Sequence, residues 1–280
     1  LQPGPWDEMA LWFGLPRGQS LPEIPRFANS SHLYAPNSWG YLRAARYRSR
    51  PSHADQLHFD LWWRGWNIAQ DAGTYSYNAP PPWDNPLTST LVHNTVTVDG
   101  REQMTRVSRF LYLDWANATA REHPTDGENF LQRVSAQTEA YARLGIRHAR
   151  TVTVYPDERW VVEDELRNQN QRMRIFRLHW LLPDWEWEVE NRDSIFEIRL
   201  KSPLGWVTLK VGCGDLTNHP AITLARAGEI AWGNLTNCPP TRGWVSPTYS
   251  VKNPALSLAV EVKSARTVRF TTDFIFPAIR

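Results

Sequence analysis

The sequence has only two cysteines in 280 residues, Cys213 and Cys238. Two thiols exclude a cysteine-built zinc site and a multi-bridge disulfide framework. They either pair in an oxidising compartment or stand as two buried free thiols, and spacing leaves both open. A charge excess is missing too. Against 31 Lys and Arg stand 29 Asp and Glu, for a net +2. With no basic block in the chain, nucleic acid is not expected as a partner. No apolar run reaches the roughly 18 residues of a membrane-crossing helix, so no membrane partner is expected. The stretch Leu1 to Glu8 has neither a basic start nor an apolar core, and there is no initiator Met. No signal peptide is visible, so the chain is expected to be a mature product or a piece of something longer. Internal repeats and low-complexity tracts are also lacking.

What is present is aromatic and β-rich. Apolar residues make up 41% and charged residues 21%, a globular balance. Fifteen tryptophans are many. Most are expected in a core, because large aromatics dominate burial, and the rest are available as platforms for sugar rings. Residues 5–13 read as one short helix, with Pro5 in the first turn, Asp7 and Glu8 at its positive end, and Gly14 and Pro16 stopping it. A lone amphipathic helix cannot bury its apolar face, so it reads as the stump of a preceding helical domain. Residues 16–28 carry three prolines and read as a linker. Helix signals then almost vanish. Alternating runs at 38–47, 57–64, 146–155, 160–167, 174–182, 194–200, 206–211, 256–262 and 266–274 are separated by short polar turns. The expected fold is all-β, a large antiparallel β-sandwich with a short N-terminal helical remnant. The expected division is 1–15 remnant, 16–30 linker and 31–280 β domain.

The chemistry is concentrated in three blocks. They are Pro51-Ser-His-Ala-Asp-Gln-Leu-His58, Asp71-Ala-Gly-Thr-Tyr-Ser-Tyr77 and His93-Asn-Thr-Val-Thr-Val-Asp-Gly100. If Gly65 turns the 57–70 hairpin, Asp71 falls across from about His58. Strand parity puts Phe59, Leu61 and Trp63 on one face and His58, Asp60 and Trp62 on the other. His53 precedes the strand and a loop can aim it, so His53 and His58 are both geometric partners for Asp71. His93 opens a Val-Thr-Val strand that ends in the hairpin signal Asp99-Gly100. Two neutral imidazoles and one carboxylate, with a position left for water, are a common zinc ligand set. The competing reading is a hydrogen-bonded His–Asp pair that fixes loops without metal. Asn94 and Thr95 are expected to hold the loop around His93 by backbone hydrogen bonds. His148 and His179 sit in apolar strands and read as satisfied interior histidines. His32, His123 and His219 read as loop residues without a role.

These blocks, with Thr90-Leu-Val-His-Asn-Thr-Val-Thr-Val-Asp-Gly100 as the third, resemble the C-terminal domain of the heparinase II/III-like family in order and spacing. The resemblance is clearest over 30–110 and continues more faintly through Arg143–Val152 and Arg177–Trp180. Trp6–Leu15 looks like the tail of the helical domain that precedes this β domain in the family. The resemblance implies a bacterial polysaccharide lyase acting on uronic-acid polymers such as heparan sulfate or alginate. It implies an N-terminal α/α toroid as partner domain, an acidic polysaccharide as substrate, and a periplasmic or secreted location. It implies β-elimination, with the carboxylate-neutralising residue and the catalytic Tyr on the toroid. It also implies a structural zinc site, which selects His53, Asp71 and His93. One position departs from the pattern. Many members carry His-x-His at the start of the first block, and Pro51 replaces the first of these. Proline can neither accept a proton nor ligate metal, so either His58 or a toroid residue takes the catalytic role, or this branch handles its substrate differently. Tyr75 and Tyr77 can face a sugar or serve as half-buried packing. Trp83, in the stiff Asn78–Pro86 loop, can form the lip of a glycan groove or tuck inward. The alternative function is a non-catalytic carbohydrate-binding or structural β-module, which the tryptophans and Pro51 favour.

Overall fold

A computed structural model describes residues 30–192, 195–214, 219–234 and 237–278, together with Trp12 and Gly14. The helix expected over 5–13 and the linker expected over 16–28 lie outside the described residues, apart from Trp12 and Gly14. Three sheets form the body. An eight-stranded antiparallel sheet runs in the order Trp187–Arg192, Ile195–Ser202, Gly205–Gly214, Val268–Ile275, Trp160–Asn168, Ile146–Val154, Gln132–Thr138, Ala118–Glu122. A five-stranded sheet runs Glu229–Trp232, Ala221–Arg226, Leu256–Ser264, Arg174–Leu182, Val96–Val98. A four-stranded sheet runs Ser30–Tyr34, Ser38–Arg43, Phe59–Trp63, Trp66–Ala69.

The large sheet packs against both smaller ones, which makes a sandwich. Alternation explains the choice of inner face. Phe196, Ile198 and Leu200 on one strand, and Val207, Leu209 and Val211 on the next, all point inward and are essentially buried. Trp180 of the five-stranded sheet crosses the core, donates its indole N–H to Thr272 Oγ1 at 3.1 Å, and meets Phe274 edge-on. Trp160 of the large sheet does the same toward the four-stranded sheet, donating to Ser38 Oγ at 2.9 Å beside Phe59. Each indole brings its polar atom to a partner, so its burial costs no unpaired donor.

The expected parity holds. Phe59, Leu61 and Trp63 are buried, while Asp60 and Trp62 are only partly so. Arg64-Gly65, both at positive φ, make the tight turn. Asp99-Gly100 turn likewise, closing on a Val98–Arg101 bridge rather than a long hairpin. A short strand over Leu111–Leu113 pairs with Thr105–Ser108 outside the three main sheets. Two expectations need correction. Only Trp63, Trp160 and Trp180 of the described tryptophans are fully buried. Trp185, Trp187 and Trp232 pack against the core while still partly exposed. Others cover outer sheet faces, as in the Trp39–Trp62 stack, where centroids are 5.6 Å apart on directly paired outward positions. His32 belongs to the strand Ser30–Tyr34, not to a loop. Cys213 is buried and Cys238 half-buried, and both are free thiols.

Candidate metal centre

The site lies where the four-stranded sheet meets the five-stranded one, at the loops before and after their joining strands. The loop that carries His53 is fixed by its own backbone. Ala54 N–H donates to Thr88 O at 2.9 Å, and Thr90 Oγ1 donates back to Ala54 O at 2.7 Å. Gln56 is fully buried and anchors the next turn. Its amide binds Ala45 on both edges and Ala116 O, while Gln103 and Thr95 serve its backbone. Leu57 takes a positive φ of 60° at the bend into the strand that His58 precedes.

Asp71 follows the strand Trp66–Ala69. Its Oδ1 accepts the Gly73 N–H at 2.7 Å, closing a tight turn. Gly73 stands at φ +73° with Ser246 O so near that a Cβ would lie 2.2 Å from it, so only glycine fits there. His93 ends a 3-10 turn over Thr90–Val92, and its Nδ1 lies 2.6 Å from Ser89 O. Nδ1 must therefore carry the proton, which leaves the Nε2 lone pair facing the site. Asn94 ties the whole corner, as expected. Its Nδ2 donates to Phe59 O and Gln70 O, its Oδ1 accepts from Leu181 N, and its N–H donates to His58 Nδ1. Thr95 binds Gln56 O.

The structure brings His53, Asp71 and His93 together. His53 Nδ1 lies 3.2 Å from His93 Nε2, and His93 Nε2 lies 3.6 Å from Asp71 Oδ2. Two nitrogens bound to one tetrahedral zinc at ~2.0–2.1 Å stand roughly 3.3 Å apart, so the spacing fits one shared ion. Asp55, absent from the expected set, joins them, with ligand atoms of all four within 4.8 Å of one another. Its Oδ1 is already taken by Arg43 Nε at 2.8 Å and the Tyr47 hydroxyl at 3.4 Å. His58 stands beside the group. Its Nδ1 accepts from Asn94, so Nε2 holds the proton and points at Asp71 Oδ2, 3.6 Å away. A protonated Nε2 cannot ligate metal. His93 and His58 side chains are buried, whereas that of Asp71 is 36% exposed, so the cluster opens to solvent on the carboxylate side.

Electrostatics suit a cation. Burial pushes the His53 imidazole below its usual range, reinforced by His93. Burial takes His58 down to about 3 against the pull of Asp71. Burial opposes ionisation of Asp71, but His93, His58, His53 and the Gly73 N–H outweigh it and hold the carboxyl well below the usual range. Among the neutral imidazoles it is His58 that turns an N–H toward the carboxylate, beside the Gly73 N–H, and the carboxylate stays ionised. A divalent ion would therefore find His53 already deprotonated and one negative charge in place.

The other expected residues sit on the rim. Thr74 Oγ1 is 3.5 Å from His53 Nε2, and Tyr75 follows it. Tyr75 is half-buried and meets Trp83 edge-on at 5.4 Å. Tyr77 stands apart with Phe110 and Tyr249. Pro51 is buried. A broad groove of about 1070 Å3, lined by Arg101, Trp115, Tyr141 and Arg143 among others, contains none of the four ligand-type residues. Asp55 was discoverable from its place two residues after His53. Gln56, Gln103 and Arg43 carried no comparable signal.

Comparison with known proteins follows the same lines. The family model described as Heparinase II/III-like, C-terminal matches residues 41–272. A solved heparinase III gene product superposes with a TM-score of 0.68 at 18% identity, over 96% of this chain and 38% of its own. Heparan sulfate lyase HepC from Pedobacter heparinus gives 0.66 at 17% identity, over 98% of this chain and 41% of its own. A further heparinase III gives 0.61 at 13%, over 85% and 33%. At these identities the likeness is one of fold, and the chain spans about two fifths or less of those proteins. No curated protein matches the chain by sequence.

Proposed function

The chain belongs to the heparinase II/III-like, C-terminal family, and from that premise we propose that it is the sandwich portion of a polysaccharide lyase with a structural zinc site. The substrate class is a uronic-acid-containing glycan, in keeping with a heparan sulfate lyase among its structural relatives. The division into a helical remnant over 1–15, a linker over 16–30 and a β domain over 31–280 belongs to the same reading. So does a preceding helical toroid. The observation that carries the proposal is the meeting of His53, Asp71 and His93 from three separate loops, with lone pairs converging and one side open.

His53 Nδ1, His93 Nε2 and Asp71 Oδ2 would hold the ion. Zinc there supplies a cross-link between the loops rather than a reacting group. His58 and Gly73 orient the carboxylate, and Asp55 stays with Arg43 outside the ligand set. His58 is a positioning residue in this reading, since its one free N–H faces Asp71 and its ring is buried. With proline at 51 no imidazole of the first block is left to move a proton at a substrate. The base and the carboxylate-neutralising group therefore come from the toroid, and this chain alone has little lyase activity. Incubation with heparan sulfate and alginate, read by the ultraviolet absorbance of unsaturated uronate, tests this. Product from the chain alone contradicts it, while product only when the helical domain is supplied supports it.

The second reading, a non-catalytic carbohydrate-binding module, is favoured by Pro51 and the half-buried rim aromatics Tyr75 and Trp83. It replaces the first if the sandwich binds glycan but elimination fails even with the helical domain present.

A further inference from the structure

The hairpin Trp244–Thr248 and Val251–Pro254 packs along the loop that follows Asp71. Gly73 bridges to Ser246, and Ser246 Oγ donates to Thr74 O at 2.9 Å. This places Lys252 beside the rim. Its ammonium stands 3.4 Å from the Trp83 ring centroid, 3.9 Å from that of Trp244 and 5.5 Å from that of Tyr75. The three rings brace one another, with Trp83 edge-on to both Tyr75 and Trp244. Trp244 is further fixed by its indole N–H to Pro240 O at 3.0 Å.

Two other lysines of the fold meet carboxylates instead. Lys201 pairs with Glu186 at 2.8 Å and Lys210 with Glu197 at 3.2 Å. Among the described residues no carboxylate pairs with Lys252. An ammonium held between aromatic faces has lost its usual rotamer freedom before any ligand arrives, and it keeps its charge for one. Lys252, Trp83, Trp244 and Tyr75 are each half-buried, so the group has an open side. The ammonium lies over the two indole faces, so the cage offers a fixed cation rimmed by aromatic edges on its open side. That arrangement matches a pyranose ring bearing an anionic substituent, with the carboxylate or sulfate turned to the ammonium and the ring resting against the aromatic rim. The strip continues past the cage. Tyr77, Phe110 and Tyr249 form a second exposed aromatic group, with centroids 4.9 and 5.2 Å apart. Arg109 reaches Asn78 beside it.

We propose that Lys252, caged by Trp83, Trp244 and Tyr75, is an acidic-sugar subsite of the sandwich itself, independent of any other domain. It rests on the reading of the substrate as an acidic glycan and adds which residues of this chain sense the charge.

The test is titration of the chain with three oligosaccharide series, followed by tryptophan fluorescence and calorimetry. One series is a polyuronate with carboxylates only, one a sulfated glycosaminoglycan, and one a neutral glucan. The expected result is binding of the acidic series and not of the neutral one. The polyuronate and sulfated arms separate carboxylate from sulfate as the anion recognised. Lys252→Met and Trp244→Ala should each weaken binding at least tenfold, and Lys252→Met should flatten its salt dependence. Lys252→Arg should restore part of the affinity. Unfolding curves of each variant separate lost binding from lost fold. Equal binding of neutral and acidic series, no binding by the chain, or acidic binding unchanged in Lys252→Met each overturns the subsite. None of those results touches the lyase reading, which stands or falls on elimination product with the helical domain present.

Discussion

The molecule contains two His–Asp arrangements made from the same residue types, and they behave oppositely. In the large sheet His148 Nε2 meets Asp164 Oδ1 at 2.6 Å, and neither side chain touches solvent. Arg150, directly opposite Asp164 across the strands, binds both carboxylate oxygens at 2.8 and 2.9 Å. Both oxygens of Asp164 are spent inside the protein, and the one acceptor left over, His148 Nδ1, is buried away from any opening. At the loop corner Asp71 has one oxygen on Gly73, while the other faces two imidazoles at 3.6 Å with solvent alongside. Composition therefore does not mark a site. Unspent lone pairs that converge beside an opening do. The two regions are also joined. Arg150 Nη1 donates to Leu57 O and Asn94 O, the backbone beside His58 and His93. The closed cluster thus holds up the open one.

The sharpest way to break this relation is Arg150→Met. It leaves Asp164 buried without its cation and two loop carbonyls without a donor. The expected cost is about 3–5 kcal/mol in denaturant unfolding, with zinc affinity falling as well. A variant as stable as the parent would dissolve the link between the regions. His58→Gln addresses the corner alone. Losing a group that orients Asp71 should weaken zinc about 10–100-fold by competition with a chromogenic chelator, with folding retained. Unchanged affinity would remove His58 from the support of the site.

Acid separates the regions less strongly but in a defined direction. Burial pushes His148, His179 and His58 below their usual range. The unfolded chain takes up their protons from about pH 6.5 downward, so their contribution is whole above that pH and lost below it. Asp60 runs the other way. Burial and the Asp71 charge raise it to about 7, so its contribution is present at low pH and lost as pH rises from about 4 to 7. Three buried imidazoles outweigh one carboxyl. Melting temperatures of the metal-free protein should therefore fall between about pH 7 and pH 5, and a rise would contradict the count of neutral histidines. The smallest effect is expected of Asp55→Asn. Arg43 holds that carboxylate, so zinc should weaken by less than about tenfold, below the range for supporting residues. A loss as large as that from a ligand would place Asp55 in the set.

Much of this corner was legible in the sequence. Strand parity sorted Phe59, Leu61 and Trp63 from their neighbours, and glycine marked the turn at residue 65. Short-range rules such as these depend on the residues involved and little else. Asn94 was also readable as a loop-holder, because a side-chain amide next to a strand start has few other uses. The family resemblance selected His53 over His58, a choice that parity alone left open. The support was not legible. Arg150 lies 93 positions from the Leu57 carbonyl it holds, and Gln56 lies 47 from Gln103. Such contacts exist only once the sheets have closed. The tryptophans were misjudged for a related reason. A ring on an outward strand position can cover its neighbour, as Trp39 covers Trp62, without entering the core.

The most direct test of the metal centre is the zinc content of the purified chain, measured by elemental analysis beside His53→Ala and Asp71→Asn. The expected result is close to one zinc per chain, removed by chelator and restored by added zinc, and below about a tenth of that in either variant. Zinc content unchanged by both substitutions, or no zinc taken up by the parent chain, would contradict the ligand assignment.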